Sequence, residues 1–217
     1  MSKFSKSLIT IIVILIIIIG GGYYLLTPNE SITNNNENKT ITIEEILKCS
    51  FINKVEINNN PLRLKGKISI SQQEFKDIVY TIANKNNIYE LEKANIFIND
   101  NKVELIYPYK VLGFIDTQIK VYLNPKVVNN NLELTLSNAR LGKINISDKL
   151  VANNIKSYKD KIPFDIKDNV VIISKDYTYP ITLNNVDINN KEIFIDLEIY
   201  ANNLIDFITK YGINVNQ

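Results

Sequence analysis

The chain has no histidine and no tryptophan, one cysteine and only seven glycines in 217 residues. Without histidine, Ser–His and Cys–His nucleophile pairs and histidine-ligated metal centres are excluded. The lone Cys49 permits no internal disulfide and no thiolate cluster for a metal. It also stands well past the apolar run at the N-terminus, whereas a bacterial lipoprotein needs its cysteine directly after that run. It reads as a small, half-buried hydrophobe in a helix. Beyond the Gly20-Gly21-Gly22 triplet, Gly66, Gly113, Gly142 and Gly212 are isolated, so phosphate-cradling loops and the G-x-S-x-G elbow are absent.

A surplus of one charge sign is missing too. There are 25 Lys and Arg against 23 Asp and Glu. Lys3 and Lys6 precede the apolar run, so the remainder is balanced. The basic stripe of a nucleic-acid binder is lacking, and no nucleic-acid partner is expected. Asp187-Ile188-Asn189-Asn190-Lys191 starts like a calcium loop, but Lys191 takes a ligand position and the turn glycine is missing. No metal and no cofactor is expected. Asp160, Asp165 and Asp168 fall where a helix gives way to a strand and read as solvated surface rather than as a catalytic carboxylate pair. The sequons at Asn38 and Asn145 come cheaply in a chain so rich in asparagine. The expectation is a protein that is not an enzyme.

What the sequence does have is the uncharged run LITIIVILIIIIGGGYYLL, residues 8–26. As a helix it would be about 28 Å long, close to the hydrocarbon thickness of a bilayer. Lys3 and Lys6 on its short N-terminal side predict a cytoplasmic N-terminus, and Tyr23 and Tyr24 suit the outer interface. A cleaved signal has a shorter apolar core ending in a small-x-small site; here Tyr-Tyr-Leu-Leu extends the run past the glycines. The expected organisation is a cytoplasmic N-terminus (1–7), a transmembrane signal-anchor (8–26), a polar tether (27–40) and an extracytoplasmic domain (41–217). The chain is then a single-pass protein of the cell membrane.

Within that domain Thr42 with Glu45 and Ser71 with Glu74 have capping-box spacing and announce two helices. In the second, Phe75, Ile78, Val79 and Ile82 share one face. A third helix is predicted over 147–162, capped by Ser147, with Leu150, Val151, Ile155, Tyr158 and Ile162 on one face. A short fourth ends at Gly212. Between them the apolar period drops to two. Val103, Leu105, Tyr107, Tyr109 and Val111 alternate with Lys102, Glu104 and Lys110; Ile115, Ile119, Val121 and Leu123 alternate with Asp116, Gln118, Lys120 and Tyr122. Further strands are expected at 132–136, 170–174 and 192–200, with turns at Asn99-Asp100-Asn101 and Asn129-Asn130-Asn131. The fold class is α+β: one domain of long, curved antiparallel strands packed on two amphipathic helices.

Such alternation serves two ends. The stripe and the sheet face can form the core, or strands wrapped round a helix can leave an apolar groove able to hold an acyl chain. The groove residues would be Phe75, Ile78, Val79 and Ile82 on the helix, with Val103, Leu105, Ile119 and Val121 on the strands.

The order of elements resembles the YpmS-like family, uncharacterised membrane-anchored proteins of Gram-positive bacteria. The resemblance spans about residues 65–200. It is carried by Pro125, Val127, Asn129, Leu132 and Leu134, by Leu141-Gly142-Lys143-Ile144 with Ile146, by Ile162-Pro163 and by Asp187. Ser147 stands where the family pattern has proline. The resemblance assigns no catalytic residue. More distantly the order is similar to TULIP-like domains, in which a sheet wraps a long helix and shelters lipid. It implies lipid or another apolar ligand handled at the cell envelope, the alternative being a structural or interaction module with an envelope protein partner.

Overall fold

The computed structural model describes residues 3–28, 39–42, 45, 56–88, 91–99, 101–162 and 164–211. In chain order the first elements are α1 (Lys3–Leu26), β1 (Glu56–Asn59), β2 (Leu62–Ser71), α2 (Gln72–Lys85), β3 (Asn95–Asn99), β4 (Lys102–Val111) and β5 (Ile115–Val128). There follow β6 (Asn131–Leu141), β7 (Ile144–Asn145), α3 (Asp148–Ile155), β8 (Asp165–Lys167), β9 (Val170–Ile173), α4 (Lys175–Thr178), β10 (Thr182–Asn189), β11 (Glu192–Tyr200) and α5 (Leu204–Tyr211). The class is α+β, with antiparallel sheets. One sheet has the order β1-β2-β11-β10; the other runs β3-β4-β5-β6-β9-β8, with β7 added to β6.

Helix α1 matches the run read from the sequence. Its side chains are described from Thr10 onward, and residues 11–19 are exposed. Among the described residues no helix is long and apolar enough to cross a membrane. The expected tether is held at its far end: the Lys39 amide donates to Asp77 Oδ1 at 3.0 Å and the Ile41 amide to Thr81 Oγ1 at 2.9 Å, both acceptors on α2.

Both capping boxes form. The Ser71 amide donates to Glu74 Oε2 (2.8 Å) while the Glu74 amide donates to Ser71 Oγ (3.3 Å), which satisfies two otherwise orphaned groups at the start of α2. Thr42 and Glu45 exchange the same pair at 2.7 and 3.2 Å. The body of that early helix, with Ile46, Leu47 and Cys49, lies outside the described residues, as does Gly212. The Asn129-Asn130 turn joins β5 to β6 with both residues at positive φ, the left-handed conformation that asparagine tolerates. Asn190-Lys191 does the same between β10 and β11, so the calcium-like stretch is a strand and a tight hairpin.

Two cores follow from the layering. The larger joins the facing sheets through Ile68, Ile70, Leu183, Ile188, Ile193 and Ile199 on one side and Ile96, Ile98 and Val103 on the other; Phe75, Ile78 and Val79 of α2 pack against it. The smaller lies where α3 covers the second sheet and holds Val121, Leu136, Ala139, Val151, Ala152 and Val171. The two predicted helices therefore serve different cores, rather than one helix being wrapped by the strands.

Three local readings need correction. The helix predicted over 147–162 stops at Ile155 and tightens into a 3₁₀ turn, Lys156–Tyr158. Its outward side carries Leu150, because Val151 and Ala152 are the residues that meet the sheet. Ser147 sits at the N-cap without a capping side-chain bond; the next residue, Asp148, instead accepts the Ala139 amide at 2.8 Å and ties α3 to β6. Finally, Glu104 was assigned to the wet face of β4, yet it is buried, and so is its face-mate Ile106. The 3₁₀ turn Leu91–Lys93 packs on this strand. Glu104 there accepts from Asn99 Nδ2 (2.8 Å) and pairs with Lys120.

Candidate functional site

The eight apolar residues proposed for a groove do not line a common one. Val103 and Val121 are fully buried, one in each core. Phe75, Ile78 and Val79 pack onto the larger core, Ile119 onto the smaller, and Leu105 touches both. Ile82 is left outside, 40% exposed. If these are core positions, Val103→Ala and Val121→Ala each lower the unfolding free energy by about 2 kcal/mol in denaturant titrations, through lost burial plus a cavity. Residues lining an open groove would give values near zero.

Two other places gather polar or unpartnered groups, at opposite ends of the long β5 strand. The first is the seat of α1. The Lys143 amide donates to the Leu25 carbonyl at 2.8 Å, capping an orphan acceptor at the helix C-terminus, and the Gly142 amide donates to the Gln118 carbonyl at 2.8 Å. Lys143 Nζ lies 3.4 Å from the centre of the Tyr24 ring, a cation–π contact that also sets positive charge at the negative end of the helix dipole. The seat requires glycine. Gly142 has φ +57°, and a Cβ there would lie 2.6 Å from the Leu26 carbonyl oxygen and 2.8 Å from that of Leu25.

The second place is a cleft of about 390 Å³ lined by Asn130, Lys175, Asp176, Tyr179, Pro180, Ile181, Thr182 and Tyr200. It forms where the β5–β6 turn meets β10. Asn130 Nδ2 donates to the Leu183 carbonyl (2.8 Å), and Asn131 Oδ1 accepts the Lys175 amide (2.9 Å). On one wall the Tyr179 hydroxyl donates to Asp206 of α5, and Lys210 donates to the Tyr179 carbonyl. The bond to Asp206 favours the neutral phenol, and with some desolvation it raises the Tyr179 pKa above that of an ordinary tyrosine. At neutral pH Tyr179 is a hydrogen-bond donor and not a phenolate base. On the other wall the Tyr200 hydroxyl donates to Glu198 Oε1 (2.9 Å), whose second oxygen meets Arg63 Nη1 at 3.0 Å. Glu198 is buried, so this carboxylate is committed to its two partners.

The cleft is evenly polar and apolar, with one cation, one anion and two tyrosines at its rim. It suits a polar partner with flat faces better than an acyl chain. Among the described residues no three acidic or thiol groups converge as metal ligands. The acids singled out in the sequence, Asp160, Asp165 and Asp168, are all exposed. Asp168 pairs with Lys149 at 2.8 Å on the surface, and that hydrogen bond lowers its pKa. Sequence reasoning missed the cleft because Asn130, Lys175, Tyr179 and Tyr200 are far apart in the chain and form no motif.

Comparisons with protein-family models, with curated proteins and with solved structures return no match to this chain.

Proposed function

We propose that this is a single-pass membrane protein with a cytoplasmic N-terminus, whose α+β domain works outside the membrane as a non-catalytic interaction module for another envelope component. The observation that carries the reading is the placement of α1 and the cleft at opposite ends of β5. From Gln118, at the seat, to Asn130, in the cleft, is about 40 Å at 3.3 Å per strand residue. An anchor formed by the uncharged run 8–26, whose residues 11–19 are exposed, would hold the cleft well clear of the bilayer. A site at that distance addresses other envelope components rather than lipid in the membrane below. The YpmS-like resemblance points to the same setting.

Lipid handling, the other function the resemblance implies, is less favoured. The residues that would form the groove are divided between two packed cores. The test is site-specific photo-crosslinking from Tyr177, exposed on α4 beside the cleft, in intact cells. One stoichiometric protein adduct is expected. Scattered lipid adducts would reverse the choice between the two readings.

A further inference from the structure

The turn between β4 and β5 carries two strongly exposed apolar residues close together: Leu112 is 80% and Phe114 72% exposed. Leu112 also has φ +53°, and Gly113 beside it φ +80°. A leucine in the left-handed region costs about 1–2 kcal/mol, and among the described residues little packs on this one to offset it. An apolar side chain held in a strained turn and offered to solvent calls for an occupant.

The topology says which one. β6 ends at Leu141, opposite Ile119 of β5, and Ile119 pairs with Tyr107 of β4, so the β4–β5 hairpin runs beyond β6 through residues 108–118. The end of α1 occupies that vacated flank: the 142–143 turn binds both Gln118 of β5 and Leu25 of α1. Hairpin and helix leave the domain from the same end of the sheet, with Phe114 about 13 Å along the strand from Gln118. Tyr23, Tyr24 and Ile144 are also exposed at this end, and so is Arg140. Asp116 beside the tip is paired with Lys110 at 2.6 Å. Among the described residues this leaves Arg140 and Lys143 as the uncompensated charges at this end. Aromatic and aliphatic side chains beside basic residues are the composition of an interfacial contact with anionic lipid.

We infer that the Leu112–Phe114 tip is a second membrane contact, seated in the headgroup–acyl boundary next to α1 and fixing the domain's tilt. This rests on the reading of α1 as an anchor, and the experiment separates the two. The chain has no tryptophan, so each substitution introduces a single tryptophan, excited selectively at the red edge where the tyrosines do not absorb. Phe114→Trp, Tyr24→Trp and Tyr177→Trp are made in the full-length chain, which is reconstituted into phosphatidylcholine–phosphatidylglycerol vesicles with or without acyl chains brominated near the glycerol. Phe114→Trp and Tyr24→Trp should both emit at shorter wavelength than Tyr177→Trp and lose most of their intensity to the brominated lipid. Tyr177→Trp, at the far end of β5, should lose none. Quenching of Tyr24→Trp but not Phe114→Trp would overturn the hairpin contact and leave the anchor standing. No quenching at either position would remove both. A blue shift of Phe114→Trp that follows protein concentration and ignores bromination would assign the tip to a second copy of the chain and overturn the lipid contact.

Discussion

Gly142→Ala is expected to release α1 from the domain without unfolding the domain itself. The added Cβ would sit 2.6 and 2.8 Å from two backbone oxygens at the end of the helix, and neither can move without moving the helix. The left-handed φ of +57° adds about 1–2 kcal/mol of strain for any residue with a Cβ. Once the helix backs away, the Lys143–Leu25 hydrogen bond and the Lys143–Tyr24 contact are lost, each contributing about 1 kcal/mol. The docking equilibrium should therefore shift by about 3 kcal/mol, roughly a hundredfold or more. Spin labels at Tyr23→Cys and Arg140→Cys, in a Cys49→Ser background, report this directly. The parent gives a narrow distance distribution. The Gly142→Ala chain should give a broad one, while the domain's melting falls only slightly. A distribution that stays narrow would mean that α1 is not held by the 142–143 turn.

The second large effect concerns Glu104. Glu104→Ala should lower the unfolding free energy by about 3 kcal/mol, because it removes the carboxylate that balances the nearly buried Lys120 ammonium. It also removes the acceptor of Asn99 Nδ2. Replacing both charges, Glu104→Met with Lys120→Met, should return stability to within about 1 kcal/mol of the parent, since the desolvation cost vanishes with the pair. Urea titrations of the three variants measure the coupling. A harmless Glu104→Ala would place that carboxylate in solvent, as plain alternation along β4 suggests.

Glu104 also shows where a sequence pattern stops being informative. Alternation tells which residues share a face; it does not tell whether the opposite face is covered as well. Here a 3₁₀ turn packs on β4, and Ile106 and Glu104 are buried on what reads as the wet side. The same ambiguity governs Val103 and Val121, whose period-two spacing is identical for a packed core and for an open groove. Elements with local chemistry were legible. The Ser71–Glu74 box starts α2, and the asparagines at 129 and 130 take the positive φ values of a tight hairpin. The strands β4, β5, β6, β9 and β11 lie where alternation predicts strands, although Gln118, on the polar side of β5 by alternation, is buried like Glu104.

Two further strands were not read. β2, LRLKGKISIS, alternates Leu62, Leu64, Ile68 and Ile70 with polar residues, and only Gly66 breaks its apolar face. β10 carries a register shift between Leu183 and Asn185 that interrupts its period. The seat of α1 depends on Gly142 and Lys143, which in the sequence are one isolated glycine and part of a resemblance. An isolated glycine gives no sign that a helix from more than a hundred residues earlier will close on it. The cleft is likewise assembled from the β5–β6 turn, α4 with the segment that follows it, the start of β10 and the end of β11, whose residues have no common spacing.

The anchored, outward-facing arrangement is tested most directly by thiol labelling in intact cells. In a Cys49→Ser chain, one cysteine is placed at the N-terminus (Ser2→Cys) or on the exposed α4 (Tyr177→Cys), and a membrane-impermeant maleimide is added before or after permeabilisation. Tyr177→Cys should label at once and Ser2→Cys only after permeabilisation, with both chains resisting extraction from carbonate-washed membranes. Labelling in the reverse order, or release of the chain by carbonate, would contradict the arrangement.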